Sequence, residues 1–215
     1  MFRNNFKFVF YAAVLLWTSA ANAGSYDDFF VAVQRDNPGQ LQALLARGFD
    51  PNTVDAEGRS GFAAALRADS LKVAHVLAAH PDFDVNAPNA AGESPLMLAA
   101  IKGDVALSRR LLDRGARLDP PGWTPLHYAA SGPATELVAL LLDRGAPIDA
   151  VSPNGSTPLM LAARYGAIDS AELLLARGAD PRKRNQRDLA AADFATEAGR
   201  DALAQTLRQR VGAPR

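Results

Sequence analysis

The sequence predicts an all-α solenoid of helix-turn-helix units stacked side by side and joined by β-turn fingers, about six units including the caps. Three observations predict it. A segment opening with glycine recurs at Gly58, Gly92, Gly122 and Gly155, with steps of 34, 30 and 33 residues. A second marker travels with it: Leu-Leu-Ala-Arg-Gly48, Leu-Leu-Asp-Arg-Gly115, Leu-Leu-Asp-Arg-Gly145 and Leu-Leu-Ala-Arg-Gly178. Between the markers, apolar residues fall at helical spacing, as at Leu137, Leu140 and Leu141. Self-similarity at a fixed period marks an architecture in which each unit buries its apolar side against the next.

Residues 1–23 read as a separate segment. Met1–Lys7 carries Arg3 and Lys7 and no acid, Phe8–Trp17 is wholly apolar, and small residues lead to Ala21-Asn22-Ala23. A basic head, a short apolar run and an A-x-A end make a secretory signal, with cleavage expected after Ala23. The competing reading is a retained anchor. Small residues follow the run where an anchor would continue, and the run is short for a bilayer.

The units then follow in order, at about 25–57, 58–91, 92–121, 122–154, 155–187 and 188–210, with a disordered tail over 211–215. Tyr26–Gly48 is a first cap whose Phe29, Phe30, Ala32 and Val33 cover the next unit. In the internal units Ser or Thr before Pro caps the first helix. The hydroxyl accepts an orphan amide, and Pro at the first helical position needs no donor. A break at Gly103, Gly132-Pro133 or Gly166 separates the helices. The Gly of Arg-Gly stops the second one in a left-handed cap. A Pro/Gly/Asn-rich turn such as Asp149–Gly155 leads on. In the last unit Arg200, Gln205, Arg208 and Gln209 give a polar outer side.

Three departures stand out. Gly61 replaces Pro, which predicts a looser first helix in that unit. His80-Pro81-Asp82-Phe83 replaces the Arg-Gly stop, which predicts a bulged loop. The turn Leu118-Asp119-Pro120-Pro121 is three residues short, which predicts a stubby finger and a notch.

The segment Thr124-Pro125-Leu126-His127-Tyr128-Ala129-Ala130 resembles the ankyrin-repeat signature, and Thr157-Pro158-Leu159-Met160-Leu161-Ala162-Ala163 is nearly as close. The resemblance covers Ser25 to about Arg210. It implies a structural role for His127, hydrogen-bonded between neighbouring units. It also implies a protein-binding surface along the turn tips and the exposed side of the first helices. The matching positions here are Arg59, Arg67, Glu93, Lys102, Trp123, Ser156, Arg164 and Tyr165, with Arg184 on the last finger. Trp123 reads either as an aromatic anchor for a partner or as a local plug over Pro120-Pro121. Tyr128 reads as core packing.

Composition narrows the function classes. Cysteine is absent, which excludes disulfides, cysteine-ligated zinc and thiol catalysis. Basic and acidic residues balance at 23 each, so no global field holds nucleic acid or an anionic membrane. The basic run Arg182-Lys183-Arg184 with Arg187 is the one charge cluster, which reads first as a solvated finger and alternatively as a grip for an acidic partner or anionic lipid. His75, His80 and His127 lack metal-ligand spacing, and no nucleophile elbow or phosphate loop is present. No catalytic residue, metal or cofactor is therefore assigned.

The expectation is a monomeric, non-enzymatic interaction protein, periplasmic or secreted, with a protein partner of unknown identity. It binds no nucleic acid, and no membrane after signal cleavage. The signal peptide and an Arg-over-Lys bias suggest a bacterial source. Resemblance to exported ankyrin proteins implies an accessory factor for an envelope enzyme, or an immunity protein against a periplasmic toxin. The alternative is a secreted effector acting on host proteins.

Overall fold

The computed structural model describes residues 24–212, so the segment read as a signal peptide and residues 213–215 lie outside it. Twelve helices occur among the described residues. Residues 24–34 form α1, followed by α2 (Pro38–Leu45), α3 (Gly61–Arg67) and α4 (Leu71–Ala79). Then come α5 (Pro95–Lys102), α6 (Val105–Asp113), α7 (Pro125–Ser131), α8 (Thr135–Asp143), α9 (Pro158–Arg164), α10 (Ile168–Ala176), α11 (Ala191–Glu197) and α12 (Asp201–Gly212). An isolated bridge between Val54 and Ser60 is the extent of strand pairing among them. The fold is the all-α hairpin repeat that the sequence predicts. The chain forms two compact units, divided after Phe83.

In the second unit α5, α7 and α9 start where the Ser/Thr-Pro signal places them. Ser94 and Thr157 accept the amides of Met97 and Met160. The residue three positions on reaches back to the N-cap amide: Met97 sulfur, His127 Nδ1, Met160 sulfur and Asp193 Oδ2 in α5, α7, α9 and α11. Orphan donors at both places are thus satisfied.

First helices pack on first helices, α5 on α7, α7 on α9 and α9 on α11, and second helices likewise, α6 on α8 and α8 on α10. The Ala-Ala pairs at 99–100, 129–130 and 162–163 are essentially without exposure. Small side chains there let the helix backbones approach. The approach is tightest at Gly166, where a Cβ would sit 1.9 Å from the Ala130 carbonyl oxygen. Arg144 reaches Asp113 at 2.8 Å and Arg177 reaches Asp143 at 2.7 Å, one repeat back. These exposed pairs mark the register and contribute little to stability.

In the first unit the capping role of α1 holds: Phe29, Ala32 and Val33 are buried. Gly61 is not a looser start, and the expectation is corrected. Ser60 caps α3 by accepting from the Ala63 amide, and α3 has the seven residues of α7 and α9. A Cβ on Gly61 would lie 2.4 Å from the Phe29 ring, so Gly makes room for the capping aromatic. The loop after α4 does depart from the Arg-Gly stop. His80 is extended, and Phe83 turns inward to pack 5.1 Å from Phe62.

The fingers share one closure. Asp55, Asn89, Ser152 and Asn185 each accept from the amide four residues on, while their own amides donate to that residue's carbonyl. Gly58, Gly92 and Gly155 take the positive φ this turn needs. At the far end α12 runs through Gly212, which corrects the tail expected from residue 211. Arg200 is not on a polar outer side either. Its guanidinium donates to the Gly166 carbonyl at 2.7 Å and to Ala162 at 3.2 Å, capping the end of α9.

Candidate protein-binding face

His127 organises the centre of the second unit. It is fully buried on α7. Nδ1 accepts from the Thr124 amide at 3.2 Å, which leaves the proton on Nε2 to donate to the Ser156 carbonyl at 3.0 Å. One neutral ring thereby caps its own helix and ties it to the next finger. Burial holds its pKa below the usual histidine value, against the opposing pull of the Ser156 and Ala150 carbonyls.

Around this anchor the exposed sides of α5, α7 and α9 form a cleft of about 250 Å³. Its walls are Ile101 from α5, Trp123 and Tyr128 at α7, and Leu161 and Tyr165 at α9, with Ser131 at the edge. Trp123 is half-buried, its ring edge-on to His127 at 5.3 Å. Tyr165 is 60% exposed and Ile101 is 40% exposed, and both line this one cleft. The Tyr128 hydroxyl donates to Glu93 at 2.9 Å. Burial and that carboxylate push the phenol well above the usual tyrosine range.

The sequence-predicted positions separate by unit. Arg59 and Arg67 lie in the first unit, both exposed, with Arg59 ion-paired to Asp55 at 2.6 Å and Glu57 at 2.9 Å. In the second unit Trp123 and Tyr165 meet in the cleft. Lys102 is exposed beside Ile101. Arg164 lies 5.3 Å from the Tyr165 ring centre and pairs with Glu197. Glu93 is half-buried, one oxygen taken by Tyr128 and the other by Asn89 at 2.8 Å, so it positions the tyrosine. Arg184 stays on its finger, donating to the Asp188 carbonyl.

Ser156 is a correction: it is 1% exposed. Its carbonyl is taken by His127 and its amide by Ser152, so it offers a partner nothing. Tyr128 is the converse correction. It lines the cleft instead of joining the core. Ile101 and Leu161 were missed, although the rule that selected Lys102 also selects Ile101, since both follow Ala99-Ala100.

Among the described residues no group of three or more His, Asp or Glu side chains is placed to hold a metal ion. No described helix is long and apolar enough to cross a membrane.

Comparison with known proteins agrees with this geometry. The family described as ankyrin repeats, in three copies, matches residues 29–121 and 114–185. The Mus musculus protein named ankyrin repeat, SAM and basic leucine zipper domain-containing protein 1 is 53% identical over 51 residues, which is 22% of this chain and 11% of its own length. The protein of that name from Equus caballus is 55% identical over 51 residues, with the same shares. That from Nomascus leucogenys is 57% identical over 47 residues, 20% and 10% of the two lengths. The chain thus spans about a tenth of these relatives, and the similarity is one of repeat sequence. Capped hairpins, glycine stops and closed fingers recur with a match over most of the sequence, and the chain belongs to the ankyrin-repeat family, whose repeats are protein–protein interaction modules.

Proposed function

We propose that this chain is a non-enzymatic binding protein of the bacterial periplasm that grips a protein partner through the α5–α7–α9 face. One observation carries the reading: the cleft leaves Tyr165 and Ile101 in water beside a half-buried Trp123, where the stack has no use for them. Aromatic anchors in small pockets dominate the energy of protein interfaces. The role is that of an accessory factor for an envelope enzyme, or of an immunity protein against a periplasmic toxin. The leader-like residues 1–23 support export.

The test is affinity capture from an envelope fraction with the full chain and with a variant carrying Tyr165→Ala and Arg164→Ala. A Gln42→Ala variant, changed at an exposed position of α2, is the control. A partner lost by the first variant and kept by the control supports the reading. Equal recovery by all three refutes the surface assignment. For the location, N-terminal sequencing of the exported product should begin at Gly24. A product beginning at Met1 in the membrane pellet, or recovery in the culture medium alone, overturns the periplasmic assignment.

A further inference from the structure

The cleft and the basic finger beside it carry information about what occupies them. At about 250 Å³ the cleft falls below the range of roughly 300–1,000 Å³ typical of small-molecule sites. It has room for about one large side chain. Three polar groups in its walls are already engaged. Tyr128 donates to Glu93, His127 uses both ring nitrogens, and Ser131 donates to the His127 carbonyl at 2.9 Å. An occupant is therefore asked for few hydrogen bonds there and gains chiefly by burying apolar surface.

Past Tyr165 the surface changes from apolar to charged. Glu197 is shared by two guanidiniums, Arg164 on one oxygen and Arg187 at 3.6 Å on the other. The finger that supplies Arg187 also carries Arg182, Lys183 and Arg184, four basic residues against Asp180 and Asp188. Since the whole chain is balanced, this surplus of positive charge is local. At the cleft edge Arg164, beside Tyr165, and Arg187 meet over Glu197, two guanidiniums to one carboxylate.

We infer that this face takes an extended protein segment that seats one bulky apolar side chain in the Trp123 cleft and sets an adjacent carboxylate against Arg164 and Arg187. This rests on the binding reading above and names the chemistry the same site recognises. A guanidinium already stacked on an aromatic ring is well placed for a carboxylate that approaches alongside an apolar anchor. An anionic bilayer offers the charge but no projecting side chain for a concave cleft.

The probe is a random 12-residue peptide library panned against the full chain, with a Tyr165→Ala, Ile101→Ala variant for counter-selection. Enriched peptides are then synthesised with and without their carboxylates. Affinity is read in a Trp17→Phe background, where Trp123 is the sole tryptophan and reports the cleft directly. The expected result is enrichment of a bulky apolar residue next to Asp or Glu. Changing that acid to its amide should weaken binding about tenfold, a charge-assisted contact of about 1.4 kcal/mol. In Arg164→Gln, Arg187→Gln protein the acidic and amide peptides should bind equally. Arg187→Gln alone, at a 69% exposed side chain, gives a part of the same loss without risk to the fold.

Peptides that need the cleft but carry no acid would overturn the carboxylate while leaving the binding reading intact. Peptides indifferent to the Tyr165 and Ile101 changes would overturn both. Failure to enrich any peptide, with phosphatidylglycerol vesicles shifting Trp123 emission or without it, would overturn the inference.

Discussion

Replacing His127 by Met separates two jobs done by one side chain. Met97 and Met160 hold the same position in α5 and α9, and their sulfurs accept the N-cap amides at 3.3 and 3.4 Å. Methionine at 127 therefore keeps the cap of α7 while removing the 3.0 Å bond to the Ser156 carbonyl and the ring on which Trp123 packs. That oxygen belongs to a residue 1% exposed, and water cannot easily replace the lost donor. The Ser156 carbonyl keeps its bond from the Ser152 amide, so losing the second donor costs about 1 kcal/mol, and the nearly volume-conserving swap adds up to about 1.5 kcal/mol. The expected loss is about 2 kcal/mol, read as a shift of roughly 1 M in the urea midpoint of the full chain followed by far-ultraviolet circular dichroism. A variant within about 0.5 kcal/mol of the parent would refute the claim that this bond ties the repeats together.

Acidity gives a second readout of the same bond. The folded pKa of His127 is depressed, so in acid the unfolded chain binds the proton more readily. Stability from this group is fully present above the unfolded value of about 6.5 and is lost as pH falls toward the folded value. The slope in that window reaches about 1.4 kcal/mol per pH unit and vanishes in His127→Met. Subtracting the variant's stability from the parent's removes the carboxylate contributions. A difference that stays flat between about pH 7.5 and 5.5 would show that the ring is not buried neutral.

Three further changes test the packing. Gly166→Ala places a Cβ 1.9 Å from the Ala130 carbonyl oxygen; the backbones must part, and a loss of about 3 kcal/mol or more in chemical denaturation is expected. Ser108→Ala removes a fully buried hydroxyl with no hydrogen-bond partner, so stability should rise by about 1 kcal/mol, and any loss would contradict its orphan status. Gly61→Pro copies the residue found at this position in α5, α7 and α9, yet it should destabilise by about 3 kcal/mol. It deletes the Gly61 amide bond to Thr53 and strikes Phe29, and a neutral result in thermal melts would remove Phe29 from its capping role.

What could be read from the sequence was what is local. Thr-Pro, Ala-Ala and Arg-Gly each specify the conformation of their own few residues, so the helical hairpins followed directly. The surface was harder, because exposure of a finger residue is decided by the neighbouring repeat. Arg59, Glu93, Trp123 and Ser156 all follow a finger glycine, yet only Ser156 is buried. The reason is His127 one repeat earlier, which draws in the Ser156 carbonyl. Arg200 reads as a solvated charge until the α9 carbonyls it caps, more than thirty residues back, are seen beside it. Tyr128 looked like core for the same kind of reason: its outlet, Glu93, lies in the preceding repeat.

The short finger leads directly into Trp123, which walls the cleft. From the stop glycine to the finger-closing residue the chain takes seven steps in the fingers of Asp55, Ser152 and Asn185, but four between Gly115 and Asp119. In the fingers of Asp55, Asn89 and Asn185 the closing side chain also accepts from the amide two positions on, that of Glu57, Ala91 and Arg187. At Asp119 that residue is Pro121, which has no amide hydrogen. The short finger lacks that bond, and the Trp123 ring packed on His127 supplies a brace in its place. Trp123 thus serves the fold and the cleft together. Trp123→Ala should cost about 2 kcal/mol or more of stability as well as the cleft wall, whereas Trp123→Phe should keep most of the stability and alter the cleft's shape. If Trp123→Ala leaves thermal unfolding unchanged, the ring is no brace, and its place at the cleft is owed to binding alone.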